Sequence, residues 1–392
     1  MDLFTLDSQL RRTSLFDRYQ SLIWTERFSA YGDFELVINS SLSSRNAFQP
    51  GTRLAINEST RVMVVETVID KTTSDGKTLL TVKGPSMEEV LDDRFVAFFT
   101  APSTFSPTFT QGPKTTAEIV RSIFDYICIA GGISTGDRIP FYTVGNFYPT
   151  DTIPEPPATI TMQIPKISLY SAIKQICDIY GLGFRLVRNG DLSQLMFNVY
   201  SGNDRTTLQT TLPAVIFSPE LDNLSDVSFL TSTSAFKNVA YVLAPNGSQT
   251  VYATGFDSAT AGFDRKILYV DASDITDAAG TGLDAKLQQR GKQQLALNTN
   301  LAAFDGEIPK NSQYQYHTHY ELGDLVEIRN ADKVTNQMVV TEQIFVSDEQ
   351  GDRQYPTLAV KLLITPGSWY AVPPAQVWDD LVDVADTWAV RP

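Results

Sequence analysis

The chain has 392 residues, of which 42% are hydrophobic and 11% aromatic; this apolar content excludes a disordered chain, and the length predicts about two to four domains. Its formal net charge is −14, from 45 acidic and 31 basic residues, so no overall basic field exists to hold nucleic acid, although an acidic passage would let a duplex slide without sticking. Only 19% of residues are charged while Thr, Ser, Val, Phe and Tyr are plentiful, which favours strands and gives a mainly β fold with a few helices.

The start, Met1-Asp2-Leu3-Phe4, has neither the basic beginning nor the apolar core of a signal peptide, so folding in a cytoplasm is expected. After Trp24, apolar residues alternate at Phe34, Leu36 and Ile38 as in a half-buried strand. Leu54 to Ile56, Val62 to Ile69 and Leu79 to Val82 continue the strand pattern, with a hairpin turn at Asp75-Gly76. Residues 1–100 therefore predict a small β-barrel or sandwich. Ala101 to Pro113 carry no charge and are rich in Pro, Ser, Thr and Phe, the composition of a connection.

Thr115 to Glu118 fits a capping box, and Ile119, Val120, Ile123, Phe124 and Ile127 form one stripe of a helix that stops at Gly131-Gly132. A second helix opens at Ser168 and ends at Gly181. The hairpin from Phe184 to Tyr200, turning at Asn189-Gly190, offers both helices a partner, so residues 101–212 predict an α+β insertion domain. Cys128 and Cys177 each fall within these apolar helical patterns and read as buried free thiols.

From Val215 the chain returns to strands, broken by a polar helix near Leu283 to Leu297 whose apolar stripe is only Leu283, Leu287 and Leu295. That pattern predicts a surface helix on a second barrel spanning residues 213–366, followed by a C-terminal tail, 367–392. No run approaches the ~18 apolar residues of a membrane span.

Two distant segments resemble each other. Pro50-Gly51 to Ile56, Met63-Val64-Val65, Asp75-Gly76 and Thr81-Val82-Lys83 correspond in order to Leu322-Gly323 to Ile328, Met338-Val339-Val340, Gln350-Gly351 and Ala359-Val360-Lys361. Each copy reads as a turn glycine, a strand, a hairpin and a closing strand, so the chain predicts two similar barrels. Three chains with two similar units each would build a ring of six.

The chain resembles the tail-hub or minor tail proteins of long-tailed bacteriophages, the baseplate-hub family. The residues that carry this are Trp24, Tyr31 to Leu36, Phe48-Gln49-Pro50-Gly51, Gly84, Leu91, Arg94, Tyr320 to Val326, and the segment from Gly367 to Trp388. The resemblance implies a virion structural protein at the tail tip: a homotrimer whose paired tail-tube-type barrels close or continue the tube and let DNA pass. It also implies the distal tail protein, the tape measure protein and tail-tip or fibre proteins as partners. Many members extend into a C-terminal lysin, peptidase or fibre-like module, whereas about thirty residues follow the second copy here, too few for a separate domain. No lytic role is therefore expected.

Catalytic motifs are missing from the sequence. Its two histidines, His317 and His319, would share a strand face as a metal pair might, but they also read as surface or interface residues. Neither a His-Glu-x-x-His helix nor a Gly-x-Ser-x-Gly elbow occurs, and Asp75-Gly76-Lys77-Thr78 lacks the upstream glycine of a phosphate loop. No enzyme, cofactor or metal is expected. The rival readings are a tail-tip glycan or peptidoglycan hydrolase, using carboxylates such as Asp92-Asp93 or Asp379-Asp380, and a carbohydrate-binding β-protein. Trp369, Trp378 and Trp388, with Asp379, Asp380 and Asp386 between them, predict a docking strap for another tail protein or a neighbouring subunit, the alternative being a tail that folds back on its own barrel.

Overall fold

The computed structural model describes residues 1–359 except 73, 75, 97–98, 102–103, 106–108, 132–134, 140–141, 145–159, 165, 190–193, 299–300, 308–312 and 330–334. The first part contains β1 (Leu3–Leu6), β2 (Arg12–Phe16), β3 (Ser21–Arg27), β4 (Asp33–Asn39), α1 (Leu42–Ala47), β5 (Arg53–Ile56), β6 (Met63–Val64), β7 (Thr67–Thr72) and β8 (Thr78–Pro85). The alternation read from Phe34 to Ile38 holds: these side chains are buried while Asp33 and Glu35 face outward.

Next come β9 (Phe99–Ala101), β10 (Thr104–Phe105), β11 (Phe109–Lys114), α2 (Thr116–Phe124), β12 (Tyr142–Val144), β13 (Ile160–Ile164), α3 (Leu169–Tyr180), β14 (Gly183–Asn189) and β15 (Gln194–Tyr200). The stretch expected to be a plain connection thus contains β10 and part of β11, which pairs with β13; its Thr and Phe content serves a strand. α2 begins with the expected capping box: the Thr115 hydroxyl accepts from the Glu118 amide, and the Glu118 carboxylate accepts from the Thr115 amide at 2.9 Å. α2 and α3 bury their stripes against the β14–β15 hairpin, where Phe124 stacks on Phe197 with centroids 4.0 Å apart.

The last part contains β16 (Ile216–Phe217), β17 (Ser225–Ser232), β18 (Val239–Ala244), β19 (Gly247–Tyr252), β20 (Ile267–Asp271), α4 (Thr281–Ala296), β21 (Leu301–Glu307), β22 (Leu325–Arg329), β23 (Thr335–Asp348) and β24 (Gly351–Ala359). Here the helix lies on a surface as expected, but what it covers is not a barrel. β19, β18 and β20 form a separate sheet that α4 covers, and Leu283, Leu287 and Leu295 are buried against it. The apolar stripe looked sparse because its missing member is Gly291, where a Cβ would come within 2.6 Å of Val251. A glycine there lets the helix backbone press onto the sheet.

No closed barrel forms among the described residues. Strands of both repeat copies instead meet in one ten-stranded sheet, whose main path runs β17-β21-β24-β23-β3-β4-β8-β7, with β22 paired to β23 and β16 to β22, while β5 and β6 of the first copy pair in a separate sheet of order β2-β1-β5-β6. One continuous apolar core underlies both copies, bringing Trp24, Phe34 and Val82 together with Val326, Val340 and Phe345. Separate barrel cores were expected because each copy has its own apolar set, but the pairing of β23 with β3 merges them.

Candidate assembly surface

The sheet path reads as one four-strand plan used twice. β3-β4-β8-β7 and β17-β21-β24-β23 each place their strands in the chain order first, second, fourth, third, and every neighbouring pair is antiparallel. The glycine turns match to the hydrogen bond. Gly51 has φ +87° and its amide donates to Val65 O at 2.7 Å; Gly323 has φ +92° and its amide donates to Val340 O at 2.7 Å. Beyond each turn, Leu54 lies opposite Met63 and Val326 opposite Met338. The closing strands correspond differently from the sequence match: Lys83 opposes Thr67 as Thr357 opposes Glu342, so the partner of Lys83 lies four residues before Lys361. Residues 360–361 themselves are outside the described residues.

The two copies meet where β23, the third strand of the second copy, pairs with β3, the first strand of the other, from Glu342 opposite Arg27 to Asp348 opposite Ser21. Arg27 fastens this seam, donating to Glu342 Oε1 at 2.6 Å and to Asp33 Oδ2 at 2.5 Å. The ends of the path are β7, the third strand of the first copy, and β17, the first strand of the second. β7 is a bare edge along most of its length, with Ile69 47% exposed.

One face of the sheet is open. A row of neighbouring residues crosses both copies on it: Thr67, Lys83, Glu35, Ile23, Val346 and Arg353. Its cations are held by carboxylates, Lys83 by Glu35 at 2.6 Å and Arg353 by Asp348 at 2.5 Å.

Buried ion pairs tie the α+β region to each copy, and sequence reasoning missed both. Arg61 donates to Glu88, both lie out of solvent, and Glu88 also accepts from the Leu186 amide at 2.8 Å. Burial opposes the Arg61 charge, but the Glu88 carboxylate outweighs it and the guanidinium is held protonated more firmly than usual. In the second copy, Asp324 accepts from the Asn203 amide and from Arg205 Nε, each at 2.7 Å, and from the Glu321 amide at 3.0 Å. Burial pushes the Asp324 carboxyl above its ordinary range despite these bonds. A carboxylate directly after a turn glycine, as in Gly323-Asp324, was the legible hint.

His317 and His319 do not share a strand face. They lie in a turn between Tyr316 and Tyr320, where His317, at φ +65°, bonds Glu321 at 3.0 Å and His319 Nδ1 accepts from the Gln315 amide at 3.0 Å. No group of three or more metal-ligating side chains occurs among the described residues. Cys128 and Cys177 are free and buried, and burial raises the Cys128 thiol to about 12. Asp92 and Asp93 follow a short helical turn at Met87–Leu91, next to Glu89, whose carboxyl burial and the neighbouring acidic groups push upward. Trp369, Trp378, Trp388, Asp379 and Asp380 lie outside the described residues. No helix among the described residues is long and apolar enough to cross a membrane.

Known structures share this architecture. The chain is similar to the tail protein from Neisseria meningitidis MC58, with 14% identity over 94% of this chain and 98% of that one and a TM-score of 0.55. It is also similar to the 43 kDa tail protein of prophage MuSo2 from Shewanella oneidensis, at 13% identity over 92% and 99% of the two chains and a TM-score of 0.53. Comparison with curated proteins gives no match. At these identities the likeness is one of fold. The family model described as Siphovirus ReqiPepy6 Gp37-like protein matches residues 2–358, a span containing both repeat copies and the α+β region between them, and the chain therefore belongs to this family of phage tail proteins.

Proposed function

We propose that the protein is a structural tail hub at the distal end of the tail tube, where three chains form a pseudo-sixfold ring that lets DNA pass. The observation that carries this reading is the seam inside the chain. There, a third strand of one copy pairs with a first strand of the other, and β7 and β17 are the same two strand positions left over at the ends of the path. Pairing β7 of one chain with β17 of the next would repeat the internal seam between chains and satisfy both open edges. Three such chains would close six similar units and give the barrel that a single chain lacks.

The equivalence of the copies specifies the register. Thr67 stands in the place of Glu342 and Ser232 in that of Arg27, so Ile69 should oppose Leu230 and Asp70 should oppose Phe229 of the neighbour. The row that crosses the open face suits a lumen, because its two cations, Lys83 and Arg353, are each paired with a carboxylate and give passing phosphates little to bind. On this reading residues 1–100 and 213–366 are the two ring-forming units, 101–212 is the insertion, and Trp369, Trp378 and Trp388 in the tail dock a neighbouring tail protein. The role is structural, without catalysis.

The test is a double-cysteine variant, Ile69→Cys with Leu230→Cys, under mild oxidation. Covalent products should end at the trimer, while the offset pair Ile69→Cys with Ser228→Cys should cross-link poorly; Cys128 and Cys177 are buried and should stay silent. A monomeric mass, or equal cross-linking in both variants, would overturn the ring.

A further inference from the structure

We infer that the outer face of the β19-β18-β20 sheet is a shallow binding platform for a short neutral oligosaccharide. α4 covers the face formed by Ala240, Val242, Val251 and Val270, so the alternate residues point away from it. Tyr241 and Tyr269 are neighbours there on adjacent parallel strands, and they are 36% and 65% exposed. Leu243 and Ile267 flank them, also exposed. Arg265 lies 5.8 Å from the ring centroids of both Tyr241 and Tyr252 and donates to the Tyr241 hydroxyl at 3.1 Å. Ser248, Thr250 and Asp271 provide exposed hydroxyls and a carboxylate opposite or beside these aromatic positions.

Size and charge select the occupant. Strands ~4.8 Å apart and same-face residues ~6.8 Å apart make the three-by-three grid only roughly 200 Å². A stable protein interface needs about 800 Å² on each side, so the patch is too small to dock a protein by itself. The chain's net charge of −14, with the exposed Asp271 carboxylate on the same sheet face, opposes a polyanion such as nucleic acid. A pyranose ring fits what remains: its C–H face stacks on the electron-rich face of a phenol, and its hydroxyls meet Arg265, the tyrosine hydroxyls and the Ser248, Thr250 and Asp271 rim. This site is independent of the ring, since it is complete within one chain.

The experiment is saturation-transfer NMR and calorimetry on the full chain with cellohexaose, maltohexaose, chitohexaose and a galactan hexasaccharide, alongside a single-stranded oligothymidine. At least one sugar should bind saturably, and Tyr269→Ala should weaken it about tenfold or more without altering the melting temperature. Arg265→Ala should weaken the same sugar. Failure of all four sugars to bind, binding untouched by Tyr269→Ala, or tighter binding of the oligothymidine would each overturn the platform.

Discussion

In the first repeat copy, β3 and β4 are joined by residues 28–32, whereas the corresponding connection between β17 and β21 spans residues 233–300 and contains the complete β18–β20 and α4 unit. The strand order and glycine turn are the same in both. Backbone hydrogen bonds set a sheet's plan almost regardless of side chain, while a loop can lengthen greatly at small entropic cost. The short loop is used for attachment: Phe28 O accepts from the Phe184 amide at 3.1 Å, and Ser29 donates to Asp178 at 2.6 Å. The long one carries new surface.

The copies also differ in how they hold the chain between them. Arg61 and Glu88 are 2% and 0% exposed, whereas Arg205 is 15% exposed beside the fully buried Asp324. Removing Glu88 leaves a buried cation with no route to water. Glu88→Ala should therefore cost about 3–5 kcal/mol in denaturant unfolding. Asp324→Ala should cost less, about 1–3 kcal/mol, because Arg205 can reach solvent. Equal losses would mean that the two ties are energetically alike.

The glycine turns provide a smaller contrast. An added Cβ at Gly51 meets nothing within 4 Å, but at Gly323 it would come within 2.3 Å of the Phe28 ring. Gly51→Ala should cost roughly 1–2 kcal/mol from backbone conformation alone. Gly323→Ala should add about 1–3 kcal/mol of overpacking, read from paired denaturation curves.

The smallest expected effect belongs to the turn that precedes Gly323. Burial lowers the His317 pKa, but the Glu321 hydrogen bond and charge outweigh it, with Glu26 assisting and Arg185 opposing, so the folded value is raised. That stabilisation is fully present below the ordinary histidine value of about 6.5 and is lost as pH rises through the folded value. Thermal melts across this range should show the loss in the native chain and a weaker dependence in Glu321→Gln. An unchanged dependence would remove the pair from the account.

Several elements were legible because their signals are local. The Thr115 capping box, the Ser168 to Gly181 helix and the Phe34 to Ile38 alternation each depend on residues a few positions apart. The glycine turns of the repeat were legible for the same reason, since Gly51 and Gly323 are where a left-handed backbone demands glycine. The closing strands were misaligned by four residues because Thr81-Val82-Lys83 and Ala359-Val360-Lys361 share composition, which does not set register. The apolar stripe of α4 looked sparse because Gly291 contributes nothing to an apolar count.

The sequence by itself determined a mainly β chain with a duplicated glycine-turn motif, capped helices between the copies and two thiols in apolar stripes. Only the tertiary structure decided that strands of the two copies join in one sheet over a common core, because the pairing of Phe345 with Trp24 joins residues from opposite ends of the chain. It likewise decided that Arg61 meets Glu88 and that Asp324 meets Arg205, since a charge is buried only where the fold brings its partner. Which strands were left as edges was decided there too, because an edge is defined by the strands that do not arrive.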